Sequence, residues 1–261
     1  MQVVALHPGV IVARSVKWQT TCTLLHHGEE TFVVDSLIYP DELDALNGIL
    51  AQAGWGLSGL LVTHGDWDHV LGRLAFPEAS VGVAETTAAR LRAEPGAAQR
   101  QLREADEDDY VQRERPLALG QVQPLPVPGK LELGGDEELE LIPAEGHTQD
   151  GMAIWAPFAR VLCCGDYLSP VEIPWLQEHG SRDAYLATLR RLQPYVEQAD
   201  WVVPGHGAPI DAQRALAILR EDVAYLDALP ANDAPLPLAR RDRRQREIHQ
   251  DNLRRTGGAG A

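Results

Sequence analysis

The sequence predicts a mixed α/β fold in which two β-sheets carry helices on their outer faces. Three observations predict it. Short β-branched runs fill residues 2–35, strand and helix patterns alternate over residues 40–95, and strand patterns with Pro and Gly punctuation return over residues 121–165. An antiparallel meander followed by a strand–helix–strand rhythm is typical of layered α/β domains.

The N-terminal strands are predicted to form the meander. The runs GVIVA and TFVVD flank Thr20–Leu25, and the turn-like His27-Gly28 pair separates the last two strands. Each run is short and rich in Val, Ile or Thr, which favours strands over helices.

From Pro40 the apolar spacing becomes helical. Asp41 is predicted to cap a helix that Gly54 ends, and the helix leads into the buried strand GLLVT. A second strand and helix follow in SVGVAE and TTAARLRAEP. Helical leucine spacing also marks the chain from Ser181 onward, on both sides of the short strand WVV.

Two polar segments each allow two interpretations. Residues 96–118 are predicted as a solvated helix or loop, with a lid over a site as the alternative. The Arg-rich segment over residues 238–255 is predicted to be a solvated helix that docks on the body, because an RNA-binding arm would need aromatics or a wider basic face. Without an internal repeat or linker, residues 1–261 are predicted as one domain with a C-terminal helical extension at 229–261.

Composition excludes several classes of function. The formal net charge of −15 argues against nucleic acid and anionic membranes as partners. Three cysteines cannot form a disulfide framework, and neither a signal peptide nor a membrane span is supported. We therefore expect a cytoplasmic protein with a small-molecule substrate; the oligomeric state stays open, with a homodimer as one option.

The segment THGDWDH, residues 63–69, is the most informative part of the sequence. It follows a strand and holds two imidazoles and two carboxylates within six positions: His64, Asp66, Asp68 and His69. Side chains at strand ends converge on a crevice, and this donor combination is typical of metal sites. For this segment alone, a helix cap with surface histidines is the alternative.

Three single residues repeat this context. His147 follows the strand LELIPA, Asp166 follows VLCCG and His206 follows WVV, each beside a glycine. A lone histidine is usually structural, and a lone aspartate after glycine usually makes a turn. Four of the nine histidines lie in this one context, and the joint pattern indicates one shared site.

These motifs resemble those of the metallo-β-lactamase superfamily, in which HxHxDH precedes single His, Asp and His residues on later strand ends. HGDWDH, GHT, GD and GHG match in order and spacing over about residues 8–228. The resemblance implies an αββα sandwich with a dinuclear metal site at one edge. It also implies a structural acid, here Asp35, beside the metal loop.

The resemblance also assigns ligands. It implies that His64 and His147 bind a first metal, that Asp166 bridges, and that a second metal has three ligands: Asp68, His69 and His206. The departure is Asp66, which replaces the motif's second histidine. As a ligand it would leave the centre formally neutral instead of singly positive, which raises the pKa of bound water and favours oxygen-preferring ions. Two zinc ions remain the first expectation, with Fe or Mn as alternatives; an uncoordinated Asp66 would leave a weak first site.

The expected reaction is hydrolysis of a small lactone, ester or thioester by a metal-bound hydroxide. Asp68 or Asp166 would hold the nucleophile, and Tyr167 would donate to the substrate carbonyl, unless it only packs against the loop. Within the superfamily, the bridging Asp166 argues against a true β-lactamase. The short tail after His206 argues against a full glutathione-binding domain, and the acidic charge argues against nucleic-acid substrates.

Other classes of function stay open. HGDWDH also resembles the HxExDH motif of flavodiiron proteins, although the chain has no room for their flavin domain. A non-haem iron oxygenase of the persulfide dioxygenase type is therefore the closer redox alternative. A phosphodiesterase and a non-catalytic sensor are the remaining options.

Overall fold

Two β-sheets lie face to face, and helices cover the outer face of each. A computed structural model describes residues 1–231 and 234–257. The layer order is helices, sheet, sheet, helices, which confirms the predicted αββα sandwich.

The first sheet has seven strands. Strands β1 to β4 form the predicted antiparallel meander, and β4 to β7 pair in parallel through helical crossovers. In spatial order the strands are β1 (Gln2–His7), β2 (Val10–Arg14), β3 (Thr21–His27), β4 (Glu30–Asp35), β5 (Gly59–Val62), β6 (Val81–Ala84) and β7 (Gln123–Leu125). Its helices are α1 (Pro40–Ala53), α2 (Gly72–Ala75), α3 (Glu85–Ala93) and α4 (Ala97–Asp109).

The second sheet has five strands. All neighbours pair antiparallel except β11 and β12. In spatial order they are β12 (Trp201–Val203), β11 (Val161–Cys163), β10 (Met152–Ala156), β9 (Glu138–Pro143) and β8 (Gly129–Glu132). Its helices are α5 (Arg182–Gln198), α6 (Ala212–Ala228) and α7 (Arg243–Gly257), with short 3₁₀ turns at Pro157–Ala159 and Leu229–Ala231.

Three apolar clusters hold the layers together. Successive strand residues point to opposite faces, so Leu24 packs under helix α1 while Leu25 packs between the sheets. In the same way Cys163 lies between the sheets and Cys164 lies beneath helices α5 and α6. Strands buried on both faces explain the nearly continuous apolar runs of the sequence.

Most helix ends agree with the sequence, but α1 and α3 begin earlier than predicted, at Pro40 and Glu85. Ser181 Oγ accepts from the Ala184 amide at the start of α5, as expected of an N-cap. At α1, however, the predicted cap Asp41 is wrong: the helix already begins at Pro40, which is a favoured first helical residue. Gly54 ends α1 with φ +73°, as predicted.

The two polar segments are mainly helical. Within 96–118, α4 buries Ala98 and Leu102 against the first sheet and exposes most of its other side chains. Helix α7 buries Ile248 in the cluster outside the second sheet. Among the described residues, no helix is long and apolar enough to cross a membrane.

Candidate metal centre

The predicted site residues meet at the edge where several strands end. The loop after β5 carries His64 to His69, and His147 follows β9. Asp166 and His206 follow β11 and β12, which are parallel neighbours. The fold thus brings together side chains that lie as much as 142 positions apart in the sequence.

One half of the cluster consists of His64, Asp66 and His147. Asp66 Oδ2 lies 3.4 Å from Nε2 of both histidines. The ligand atoms of these three residues all lie within 4.8 Å of one another. Two imidazoles and one carboxylate converging in this way can hold a divalent metal ion.

The other half consists of Asp68, His69 and His206, and Asp166 lies between the halves. Asp68 Oδ2 is 3.4 Å from His206 Nε2 and 3.8 Å from His69 Nε2. Asp166 Oδ2 is 3.3 Å from Nε2 of both His147 and His206, a position from which one carboxylate can reach two ions.

All four histidine rings are held through Nδ1, so that Nε2 faces the centre. His69 Nδ1 donates to Asp35 Oδ2 at 3.0 Å, and His147 Nδ1 donates to the Trp175 carbonyl at 2.7 Å. In the remaining two rings, His64 Nδ1 contacts Oγ1 of the preceding residue, Thr63, and His206 Nδ1 contacts the Trp18 carbonyl. When Nδ1 carries the proton and donates it to such an oxygen, the Nε2 lone pair is free for a metal ion.

Unpaired polar atoms support the fit of a metal ion. Among the residues that the structure describes, His64 Nε2, His69 Nε2 and Asp166 Oδ1 are buried without a hydrogen-bond partner. Buried polar atoms without partners are costly, and here they point at one another across the cluster. Cations held in the two halves of the cluster would satisfy all three atoms.

The electrostatics favour a cation at this point. Burial alone would lower the pKa of His147 and His206, but the facing carboxylates raise both to about 9. In the same way burial would raise the pKa of Asp166, yet the surrounding imidazoles, with His206 first, lower it well below its usual value. A potential that holds protons this firmly also attracts a divalent metal ion.

Two glycines allow the ligand loops to approach closely. A Cβ on Gly205 would lie 2.1 Å from Asp166 Oδ1 and 2.9 Å from the His69 ring. Gly146 has φ +131°, and a Cβ there would lie 2.2 Å from the Tyr185 amide nitrogen. Gly146 and Gly205, which stand beside proposed ligands, are therefore required by packing.

Two neighbours of Asp66, and an acid that pairs with one of them, were missed by the sequence reasoning. Arg90 Nη2 lies 2.8 Å from Asp66 Oδ1, and Gln177 Nε2 donates to Asp66 Oδ2 at 2.7 Å. Arg90 Nη1 also donates to Asp150 at 2.8 Å, and Asp150 accepts from the Gly65 amide. Arg90 thus offsets the extra negative charge of Asp66, a role that no local motif could signal because it depends on the docking of α3.

Glu172 was missed as well. Its Oε2 lies 3.9 Å from His206 Nε2, and its Oε1 pairs with Arg244 at 2.9 Å. With Asp166 and His206 it forms a further group of converging donors. Only the loop after Asp166 and the docking of α7 bring it to the centre.

The predicted catalytic role of Tyr167 is corrected by its contacts. Its hydroxyl accepts from the His147 amide at 3.1 Å and donates to the Ala144 carbonyl at 3.1 Å. The side chain is buried, and burial raises its pKa far above the usual value. Tyr167 therefore holds the His147 loop, and its hydroxyl is not free to donate to a substrate.

A cavity of about 680 Å³ opens above the centre. Its floor includes Asp66, Asp68, Asp166 and His206, and three tryptophans contribute to its walls: Trp18, Trp67 and Trp175. Helices α4 and α7 both supply further wall residues. The volume suits a small organic molecule.

The family of this chain follows from a match to a protein-family model. The model of the metallo-beta-lactamase superfamily matches residues 16–206, which include every proposed ligand. The chain belongs to this superfamily. Membership confirms the resemblance seen in the motifs and indicates a divalent-metal-binding fold whose members are mostly metal-dependent hydrolases.

Solved structures share the fold at low sequence identity. A metallo-beta-lactamase family protein from Thermus thermophilus is 24% identical, with 98% of this chain and 96% of that chain covered and a TM-score of 0.67. The sec-alkylsulfatase Pisa1 from Pseudomonas sp. is 15% identical, with 98% and 50% covered and a TM-score of 0.74. DIM-1 metallo-beta-lactamase is 16% identical, with 87% and 97% covered and a TM-score of 0.59. No curated protein sequence matches the chain significantly.

Proposed function

We propose that this protein is a metal-dependent hydrolase of small lactones, esters or thioesters. The observation that carries the proposal is the pair of buried donor triads joined by Asp166 at the floor of one cavity. His64, Asp66 and His147 would hold one ion, and Asp68, His69 and His206 the other. When bound, such ions supply a Lewis acid and make water a nucleophile at neutral pH.

The chain's own groups complete the chemistry. Asp68 and Asp166 face the cavity, where their carboxylates can accept a proton from an attacking water and hold that water in line. Nearby side-chain nucleophiles are not apparent in the described part of the chain: Cys163 and Cys164 are buried, and burial raises the pKa of both thiols. Activation of water therefore fits better than covalent catalysis.

The cavity favours neutral or cationic acyl substrates. Beyond the proposed ligands, its charged lining is four acids against two bases: Glu104, Asp108, Glu247 and Asp251 against Lys17 and Arg244. A cleft with excess negative charge repels anionic substrates such as phosphodiesters. The three tryptophans offer apolar surface to an acyl or aryl group.

An iron oxygenase is the second candidate. The replacement of a histidine by Asp66, with Glu172 close by, gives the centre more carboxylate oxygen than the usual motif. Oxygen donors favour Fe or Mn relative to a histidine-rich site. The hydrolase is preferred because Arg90 offsets the added charge of Asp66.

The two candidates can be separated by metal analysis and a substrate panel. We expect two zinc ions per chain and turnover of neutral lactones, thioesters or aryl esters that is equal under air and nitrogen and is lost on chelation. Anionic phosphodiesters should be poor substrates. One bound iron with oxygen-dependent turnover would favour the oxygenase, and activity that survives chelation would contradict both.

Replacing Asp66 tests the proposed first site. Asp66→Ala is expected to weaken the binding of one of the two metal ions by about 10–100-fold and to lower activity. Asp66→His should keep both ions bound and shift the metal preference toward zinc. Arg90 stays paired with Asp150 in either variant. Metal content after equilibration with mixed Zn and Fe is the measurement, and the exposed Asp44→Ala is the control. Unchanged metal content and activity in Asp66→Ala would show that Asp66 is not a ligand.

We also propose a cytoplasmic location, since all three cysteines are free and buried. The proposed partner is the small-molecule substrate, with neither nucleic acid nor membrane, and the oligomeric state, including a homodimer, is left to solution measurement. Closure of the 96–118 segment as a lid likewise stays a proposal, supported by the position of α4 in the cavity wall.

A further inference from the structure

Helix α7 contacts the segment 173–177 through buried amide side chains. Gln245 and Asn252 lie two turns apart on α7 and are 3% and 0% exposed. Gln245 Oε1 accepts from the Ile173 amide at 2.8 Å. Amide side chains this deeply buried are retained only where their hydrogen bonds are made.

Asn252 binds the same segment at two further points. Its Oδ1 accepts from the Leu176 amide at 2.8 Å, and its Nδ2 donates to the Pro174 carbonyl at 2.6 Å. Asp251 adds a bond from the Trp175 indole at 3.1 Å. Four hydrogen bonds therefore attach four consecutive residues to one face of α7.

The attached segment holds the His147 loop. The Trp175 carbonyl accepts from His147 Nδ1 at 2.7 Å, and the Gln177 amide donates to the His147 carbonyl at 2.9 Å. Gln177 also donates to Asp66 through its side chain. The segment is therefore the direct support of two proposed ligands of the first ion and of none of the three assigned to the second alone.

We propose that helix α7 positions the first metal site, with Asn252 as the positioning residue that sets the Trp175 carbonyl against His147. The inference rests on the proposed metal centre but not on the reaction that the centre performs. Because groups that orient a ligand histidine usually affect metal affinity by about 10–100-fold, the effect is measurable without substrate. The Arg-rich helix is thus part of the functional site and not an appendage.

The test is Zn²⁺ binding by the full chain in competition with a chromophoric chelator. Asn252→Ala is expected to weaken one of the two ions by about tenfold and to leave the other unchanged. Co²⁺ substitution should show an altered absorption spectrum for the same ion only. The melting temperature of the metal-free protein, measured in parallel, reports any general loss of stability.

Tyr225→Phe is the matched control. The Tyr225 hydroxyl accepts from Asn252 Nδ2 at 3.1 Å and has no hydrogen bond to the segment 173–177 among the described residues. It should lower the melting temperature and leave both affinities unchanged. If Asn252→Ala does not fold, Gln245→Ala releases the same segment at Ile173 and should also weaken only one ion.

Two outcomes would overturn the inference. Wild-type affinities for both ions in Asn252→Ala, with a loss of melting temperature only, would show that α7 has a purely structural role. If Asn252→Ala and Tyr225→Phe each weaken the binding of both ions to the same extent, α7 likewise has a purely structural role. If the wild-type chain itself binds no metal, the proposed metal centre fails and the inference fails with it.

Discussion

Asp166→Asn is expected to lower kcat/KM by on the order of a thousandfold, because the substitution removes the one carboxylate that both halves of the site share. Its oxygens lie 3.2 Å from His69 Nε2 and 3.3 Å from Nε2 of His147 and His206. An amide is neutral and offers one acceptor instead of two. Both proposed ions should therefore bind more weakly, and the carboxylate that we propose to activate water is lost.

The measurement is steady-state turnover together with metal content, both before and after saturation with zinc. Asp200→Asn makes the same chemical change on an exposed residue that pairs with Arg160, and its activity should stay at the wild-type level because exposed ion pairs contribute little. Wild-type turnover by Asp166→Asn would exclude this residue from the catalytic centre. If excess zinc fully restores the activity of Asp166→Asn, the role of Asp166 is limited to metal binding.

Arg240→Ala is expected to lower the free energy of unfolding by about 3–5 kcal/mol, the usual result of leaving one partner of a buried ion pair behind. The Arg240 side chain is fully buried; Nη1 lies 2.6 Å from Asp222 Oδ1, and Nη2 lies 3.0 Å from Glu221. Nη1 also donates to the Glu172 carbonyl at 2.9 Å. One side chain thus joins the C-terminal extension, α6 and the loop after Asp166.

The loss of stability in Arg240→Ala should depend on pH. Burial raises the pKa of Asp222 to about 7 even with Arg240 beside it, and removal of Arg240 raises that pKa further, while the unfolded value is about 3.9. The folded variant therefore holds a proton that the unfolded chain releases, so its stability falls as pH rises toward the folded pKa. In urea unfolding, Arg240→Ala should lower the free energy of unfolding relative to the wild type by more at pH 8 than at pH 5.

Two variants control the Arg240 prediction. Arg243→Ala removes an exposed guanidinium on α7 that pairs with Glu247 and should change stability by no more than about 0.5 kcal/mol. Asp222→Asn in the Arg240→Ala background removes the titrating group. The loss of stability relative to the wild type should then be the same at pH 5 and pH 8. An equal deficit at both pH values would mean that Asp222 is not the group responsible.

The convergence of the candidate ligands was predictable from the sequence because their order follows a topological rule, whereas their assignment to metal ions came from the resemblance to the metallo-β-lactamase superfamily. His64, His147, Asp166 and His206 each follow a strand, and strand ends at one edge of a layered α/β fold face a common crevice. Adjacent glycines marked the loops that had to come close. Neither feature needs knowledge of how the helices pack, so local pattern was sufficient to predict one shared site.

Tyr167 shows where adjacency misled. It directly follows Asp166 in sequence, which suggested a role at the substrate. After the glycine turn, however, its side chain points into the core outside the second sheet, beside Tyr185. The direction of a side chain after a turn depends on backbone geometry that residue types alone do not specify.

The sequence by itself determined the layer order, the sheet edge that carries the site and the identity of the residues that converge there. The tertiary structure alone decided what surrounds them: Arg90 against Asp66, Glu172 beside His206, and α7 behind the segment that supports His147. The physical reason is the range of the forces involved. Strand patterns and turn glycines express backbone preferences over a few neighbouring residues, whereas contacts between helix faces and loops arise only when apolar packing docks separate layers at a particular angle and depth.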